Sequence, residues 1–87
     1  MLQKEYTTTG GYRTTYVYLF QGPEEIVVTT RAGVVMEVEV VSRAGELVGS
    51  VYGPEGIFGW APAGMTPQAA AERAANEAAR LRAAWMA

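Results

Sequence analysis

The run VVMEVEVVS, residues Val34–Ser42, decides how the rest of the chain is arranged. Val34, Met36, Val38 and Val40 alternate with Val35, Glu37, Glu39 and Val41, the period-two pattern of a strand with one face in a core. Such a strand needs neighbours on both edges. Stretches rich in β-branched and aromatic residues lie on either side of it, and the tripeptide Arg-Ala-Gly stands at both junctions, at 31–33 and 43–45. The arrangement predicts a β-meander. The flanking strands share no wider motif, so the repeated tripeptide reads as repeated turn chemistry and not as duplication.

The loops set the register. If Arg31-Ala32-Gly33 is a three-residue loop with Gly33 left-handed, Ile26 faces Val38, Val28 faces Met36 and Thr30 faces Val34. A two-residue Ala-Gly loop would put Glu25 opposite Val40 and Glu39 opposite Ile26, mixing charge into the apolar face. The three-residue reading is therefore preferred. Applied again at 43–45, it sets Val48 against Val40, Ser50 against Val38 and Tyr52 against Met36. The core-facing set becomes Ile26, Val28, Met36, Val38, Val40 and Val48.

Working outward, Gly10-Gly11 separates Leu2–Thr9 from Tyr12–Phe20 and predicts a tight hairpin with a weak, polar first arm. Gln21-Gly22-Pro23-Glu24 is a turn leading to a strand over Ile26–Thr30. Gly53-Pro54-Glu55-Gly56 is another turn, and Ile57-Phe58-Gly59-Trp60 suggests a short last strand. Thr66 caps a helix over about 67–85, with Pro67 at its first position and an Ala-rich run behind it. Ala70, Ala74, Ala78, Leu81 and Trp85 share one stripe of that helix, so Leu81 and Trp85 are expected to be buried against the sheet. Arg73, Arg80 and Arg82 with Glu72 and Glu77 read as a solvated face.

Composition narrows the function. Eighty-seven residues make one small domain, and seven basic against nine acidic residues give a net charge of −2. The chain has no Cys and no His, and all nine acidic residues are Glu. The commonest general base, thiolate chemistry and the commonest transition-metal ligands are thus missing, which argues against an enzyme and against a metal or other cofactor. No apolar run is long enough to span a bilayer and the N-terminus lacks a signal-peptide core, so a cytoplasmic protein without membrane contact is expected.

The most suggestive surface involves the Tyr-rich strand. If the turn at 21–24 takes four residues, Val17 and Leu19 join the helix-covered core, and Tyr16, Tyr18 and Phe20 lie on the other face with Val27, Glu37, Glu39, Val41 and Leu47. Tyr16, Tyr18, Glu37 and Glu39 are then the candidate partner-binding residues, the rings supplying contact area and the carboxylates steering a basic partner. The alternatives are that strand curvature or the N-terminal hairpin covers these rings, or that the register stands one residue out. Stacked rings on a sheet also occur in single-strand nucleic-acid readers. One Lys, six scattered Arg and the central Glu37 and Glu39 argue against phosphate here.

From Val34 to Ala79 the chain resembles small phage and mobile-element proteins built as antiparallel strands, a Gly-rich loop with an aromatic, then Thr-Pro-x-x-Ala-Ala opening a helix. The matching residues are Gly56, Phe58, Gly59, Trp60, Thr66, Pro67, Ala70 and Ala71. Some anti-CRISPR proteins are similar, and that resemblance implies a non-catalytic, stoichiometric inhibitor that binds a CRISPR effector subunit. HicB-like antitoxins are similar too, and would imply neutralisation of a toxin. The expected fold is α+β, an antiparallel meander of four to five strands with one C-terminal helix packed on one face, in a single domain over 1–87. The expected function is protein-binding inhibition, as monomer or homodimer. A nucleic-acid-binding module, a small antitoxin and a homo-oligomeric structural protein are the alternatives.

Overall fold

Three short hairpin connections and one longer turn string the strands into a meander. The computed structural model describes residues 4–86, so Leu2 and Gln3 of the expected first arm lie outside the described residues. Five strands run β1 (Lys4–Gly10), β2 (Arg13–Leu19), β3 (Glu25–Arg31), β4 (Val34–Val41) and β5 (Leu47–Tyr52), followed by helix α1 (Pro67–Met86). The strands form one antiparallel sheet in sequence order, and α1 packs against β3, β4 and β5. This is the expected α+β architecture.

Turn chemistry sets the register differently from the expectation. Between β1 and β2 the loop is Gly11-Tyr12, with Gly11 at φ 61°. Between β3 and β4 it is Ala32-Gly33, with φ of 50° and 81°, the pair of left-handed residues that a tight primed turn requires. The two-residue loop that threatened to mix charge into the core is therefore the one used. A bulge cures the mismatch: Thr29 pairs with Glu37 and Thr30 with Val35, so Met36 is the extra residue. Ile26 then faces Val40 and Val28 faces Val38, while Val35 takes the core position expected of Met36.

The second Arg-Ala-Gly does close a three-residue loop. Gly45 is left-handed at φ 87°, its N–H donates to the Ser42 carbonyl at 2.9 Å, and Val41 pairs with Leu47. Two irregularities then slide β5, so that Gly49 stands opposite Val40, Ser50 opposite Glu39 and Tyr52 opposite Val38. Gly49 is needed there, since a Cβ would sit 2.8 Å from Leu81 Cδ2. The missing side chain lets α1 approach the sheet.

The turn after β2 has the larger consequence. Leu19 pairs with Glu25, so five residues, Phe20 to Glu24, make the connection where four were expected. One extra residue reverses the facing of the whole strand. Tyr16 and Tyr18 stand beside Val28 and Ile26 on the helix side, and Val17 and Leu19 face away. Glu24, at the end of this turn, is buried and paired with Arg82 of α1. That contact fixes the turn's length by tying it to the helix.

Thr66 caps α1 as expected, its Oγ1 accepting from the Ala69 N–H at 3.1 Å. Ala70, Ala71, Ala74, Ala78 and Leu81 are buried. Trp85 departs from the expectation: it is 49% exposed, because the last turn is held by Arg82 while Trp85 lies at the rim beside Pro23 and Val48. Residues 57–60 form turns and no strand. Two isolated bonds tie them to β5, Ile57 N–H to Ser50 O and Phe58 N–H to Val51 O, each 3.1 Å. Gly56 lies so close to Val51 and Tyr52 that a Cβ would meet their backbone at 2.6 Å.

Candidate protein-binding face

The helix closes one side of the sheet over β3, β4 and β5, and among the described residues no element packs on the other, bare side. On the bare side the cross-strand pairs line up in rows. Tyr6, Val17, Val27, Glu39 and Ser50 form one; Leu19, Glu25, Val41 and Leu47 form a second; Thr8, Thr15, Thr29 and Glu37 form a third. Val17, Leu19, Val27 and Val41 are half-buried by one another, and Tyr6 and Leu47 are exposed. The face is an apolar band with carboxylates along it.

The four residues singled out from sequence do not form one site. Glu37 and Glu39 lie on the bare face, but Tyr16 and Tyr18 belong to the helix side. Tyr18 is 1% exposed, and the rings of Tyr16, Tyr18 and Phe20 stack in a ladder with centroids 6.2 and 6.3 Å apart. Their role is to extend the core sideways along β2. The cause is the five-residue turn, so the register one residue out, left open by the sequence, is the arrangement found.

Besides Tyr6, a second aromatic reaches the bare side from a loop. Trp60 is exposed and lines a cleft with Arg31, Met36, Glu37 and Pro54, at the edge of the bare face. Arg31 pairs with Arg13 across β2 and β3, which puts two cations at the hairpin end of a face whose centre is acidic. The sequence suggests a last strand at Ile57–Trp60, whereas Trp60 stands at the end of a turn. Its signal was an aromatic among glycines, where no packing partner is in reach in the local sequence.

Electrostatics marks Glu39. Burial, and then the neighbouring Glu37, raise its carboxyl above the usual carboxylate range. Between the ordinary and the raised value the folded chain binds more protons than the unfolded one, so stability falls as pH rises through that window. Glu39→Gln is therefore expected to raise stability at neutral pH and to flatten the profile. Urea unfolding at several values from about pH 4 to pH 7 checks this; a variant less stable than wild type at neutral pH would contradict it.

Glu72, Arg73 and Arg80 of the helix are exposed, as their pattern implied, whereas Glu77 and Arg82 are partly covered. Arg80 pairs with Glu77 at 3.4 Å, but Arg73 lies over the Phe58 ring at 4.2 Å and Arg82 holds Glu24. Phe58 in turn packs on Tyr52, with centroids 5.9 Å apart, so Arg73 fastens the 53–66 loop to the helix. A concavity of about 430 Å³ lies between the β2–β3 turn and α1 and is lined by Phe20, Gln21, Gln68, Glu72 and Asn76 among others. It presents amides and one carboxylate with no nucleophile–base pair. Among the described residues no group of three acidic, His or Cys side chains could hold a metal, and no helix is long and apolar enough to cross a membrane.

No family model matches the chain, and neither a curated protein nor a solved structure does.

Proposed function

We infer that this chain is a non-catalytic protein-binding protein that acts by stoichiometric occupation of a partner through the bare face of its sheet. The observation that carries the reading is the row Val17, Val27 and Glu39 with Trp60 at its margin: apolar area, fixed carboxylates and an exposed ring on one rigid surface. Exposed apolar patches rimmed by polar groups mark interaction sites, and Trp and Arg are favoured anchors in them. Glu37 and Glu39 suit a partner with a basic patch, such as one that normally holds nucleic acid. Inhibition of a host effector, the mode that resemblance to anti-CRISPR proteins implies, is the form of binding we favour.

The test is parallel capture from host lysate on immobilised wild type, Val27→Lys, Trp60→Ala and Arg80→Ala, each first shown to be folded. Wild type and Arg80→Ala should retain the same protein at one-to-one stoichiometry, and the other two should lose most of it. Loss with Arg80→Ala alone would move the binding surface to the helix. Micromolar, steeply salt-dependent binding of a single-stranded oligonucleotide would instead favour a nucleic-acid module.

A further inference from the structure

The two edges of the sheet are finished differently. β5 carries two register irregularities, and its Ser50 and Val51 carbonyls accept from Ile57 and Phe58, so the second half of that short edge is already engaged. β1 pairs with β2 over seven consecutive rungs without a break, and Tyr6 to Gly10 are all exposed. The devices that usually blunt an edge, a proline, a lysine in mid-strand or a bulge, are absent from Thr7–Thr9. Because the Gly11-Tyr12 turn makes Gly10 and Arg13 a hydrogen-bonded pair, alternation sends the N–H and C=O of Thr7 and Thr9 outward. The next rung agrees, with the Ala32 N–H donating to the Tyr12 carbonyl at 2.9 Å.

We propose that β1 pairs with β1 of a second copy, antiparallel about a two-fold axis at Thr7, joining two five-stranded sheets edge to edge. Centred on Thr7, the contact overlaps all seven residues of the strand, with Thr7 facing its own copy and Tyr6 facing Thr8. Helix α1 contacts β3, β4 and β5, which leaves the approach to β1 clear on that side. A two-fold contact uses the β1 edge of both copies, and β5 is broken by two irregularities and partly engaged by Ile57 and Phe58, so the product is a closed dimer and not a fibre. A ladder this short lies at the small end of specific interfaces, so association is concentration-dependent.

Sedimentation equilibrium of the full chain should show the weight-average mass rising from 9.4 kDa toward twice that value with concentration. Thr7→Lys, which sets two cations against each other at the axis, should hold the monomer mass while leaving the far-ultraviolet circular dichroism unchanged. The chain has no cysteine, so Thr7→Cys provides a second readout. An axis at Thr7 puts the paired Cα atoms about 5.5 Å apart, within disulfide range, whereas residue 9 is displaced from its own copy. Thr7→Cys should therefore yield a disulfide-linked dimer under mild oxidation and Thr9→Cys should stay monomeric. A monomer mass at every concentration, equal crosslinking of the two variants, or a Thr7→Lys dimer would each overturn the proposal, the last two leaving another edge or a heterologous strand as the contact.

Discussion

Tyr18→Ala is expected to lower stability by about 3–5 kcal/mol, the range for truncating a buried aromatic side chain. Tyr18 is among the largest fully buried side chains, packed beside Ile26 between the rings of Tyr16 and Phe20. Urea unfolding followed by circular dichroism measures the loss, which is a large fraction of the total stability of a small domain, about 5–15 kcal/mol. A cost below about 1 kcal/mol, the scale of ordinary surface changes, would mean that Tyr18 faces solvent after all.

The second large effect lies at the closest approach of helix and sheet. Leu81→Ala should cost about 2–5 kcal/mol, since the leucine fills the space over Gly49 and its removal leaves a cavity. Gly49→Ala should also destabilise, because its new Cβ would collide with Leu81 Cδ2 at 2.8 Å. Together the two changes relieve one another: the methyl added at 49 occupies room vacated at 81. The double variant is expected to be more stable than the sum of the single losses by about 1–3 kcal/mol in a double-mutant cycle. Strict additivity would show that the helix does not dock at this point.

Much of the fold was legible because alternation and capping are local properties. The period-two run at Val34–Val41, the Gly-bearing turns and the Thr66-Pro67 start of α1 each carry their own signal in a few residues. Register is not local. At Ala32-Gly33 the preference for a tight turn won, and the charge conflict it created was removed by a bulge at Met36, which no periodicity announces. After β2, one residue more in the turn sent Tyr16 and Tyr18 inward and Val17 and Leu19 outward. The reason lies 58 positions away, where Arg82 meets the buried Glu24. The site suffered most, since its expected membership depended on that parity: Glu37 and Glu39 stayed on the bare face, the tyrosines left it, and Trp60 arrived through a loop closed by contacts with β5. Trp85 was misplaced for a related reason. Its position on the helix stripe was right, but the last turn is secured by the ion pair.

The central claim is that one face of the sheet is closed by the helix and the other is open to a partner, and Val27 and Val28 are adjacent residues on opposite sides of that division. Since the chain has no cysteine, Val27→Cys and Val28→Cys each introduce a single thiol. The measurement is the rate at which each reacts with a neutral thiol reagent in the folded, isolated protein, relative to the same variant unfolded in urea. Val28 is 0% exposed, so its thiol should react only through opening of the domain and be protected by orders of magnitude, whereas the thiol at 27 should react within about tenfold of the unfolded rate. Equal protection of both thiols, or protection at 27 with free reaction at 28, would contradict the account.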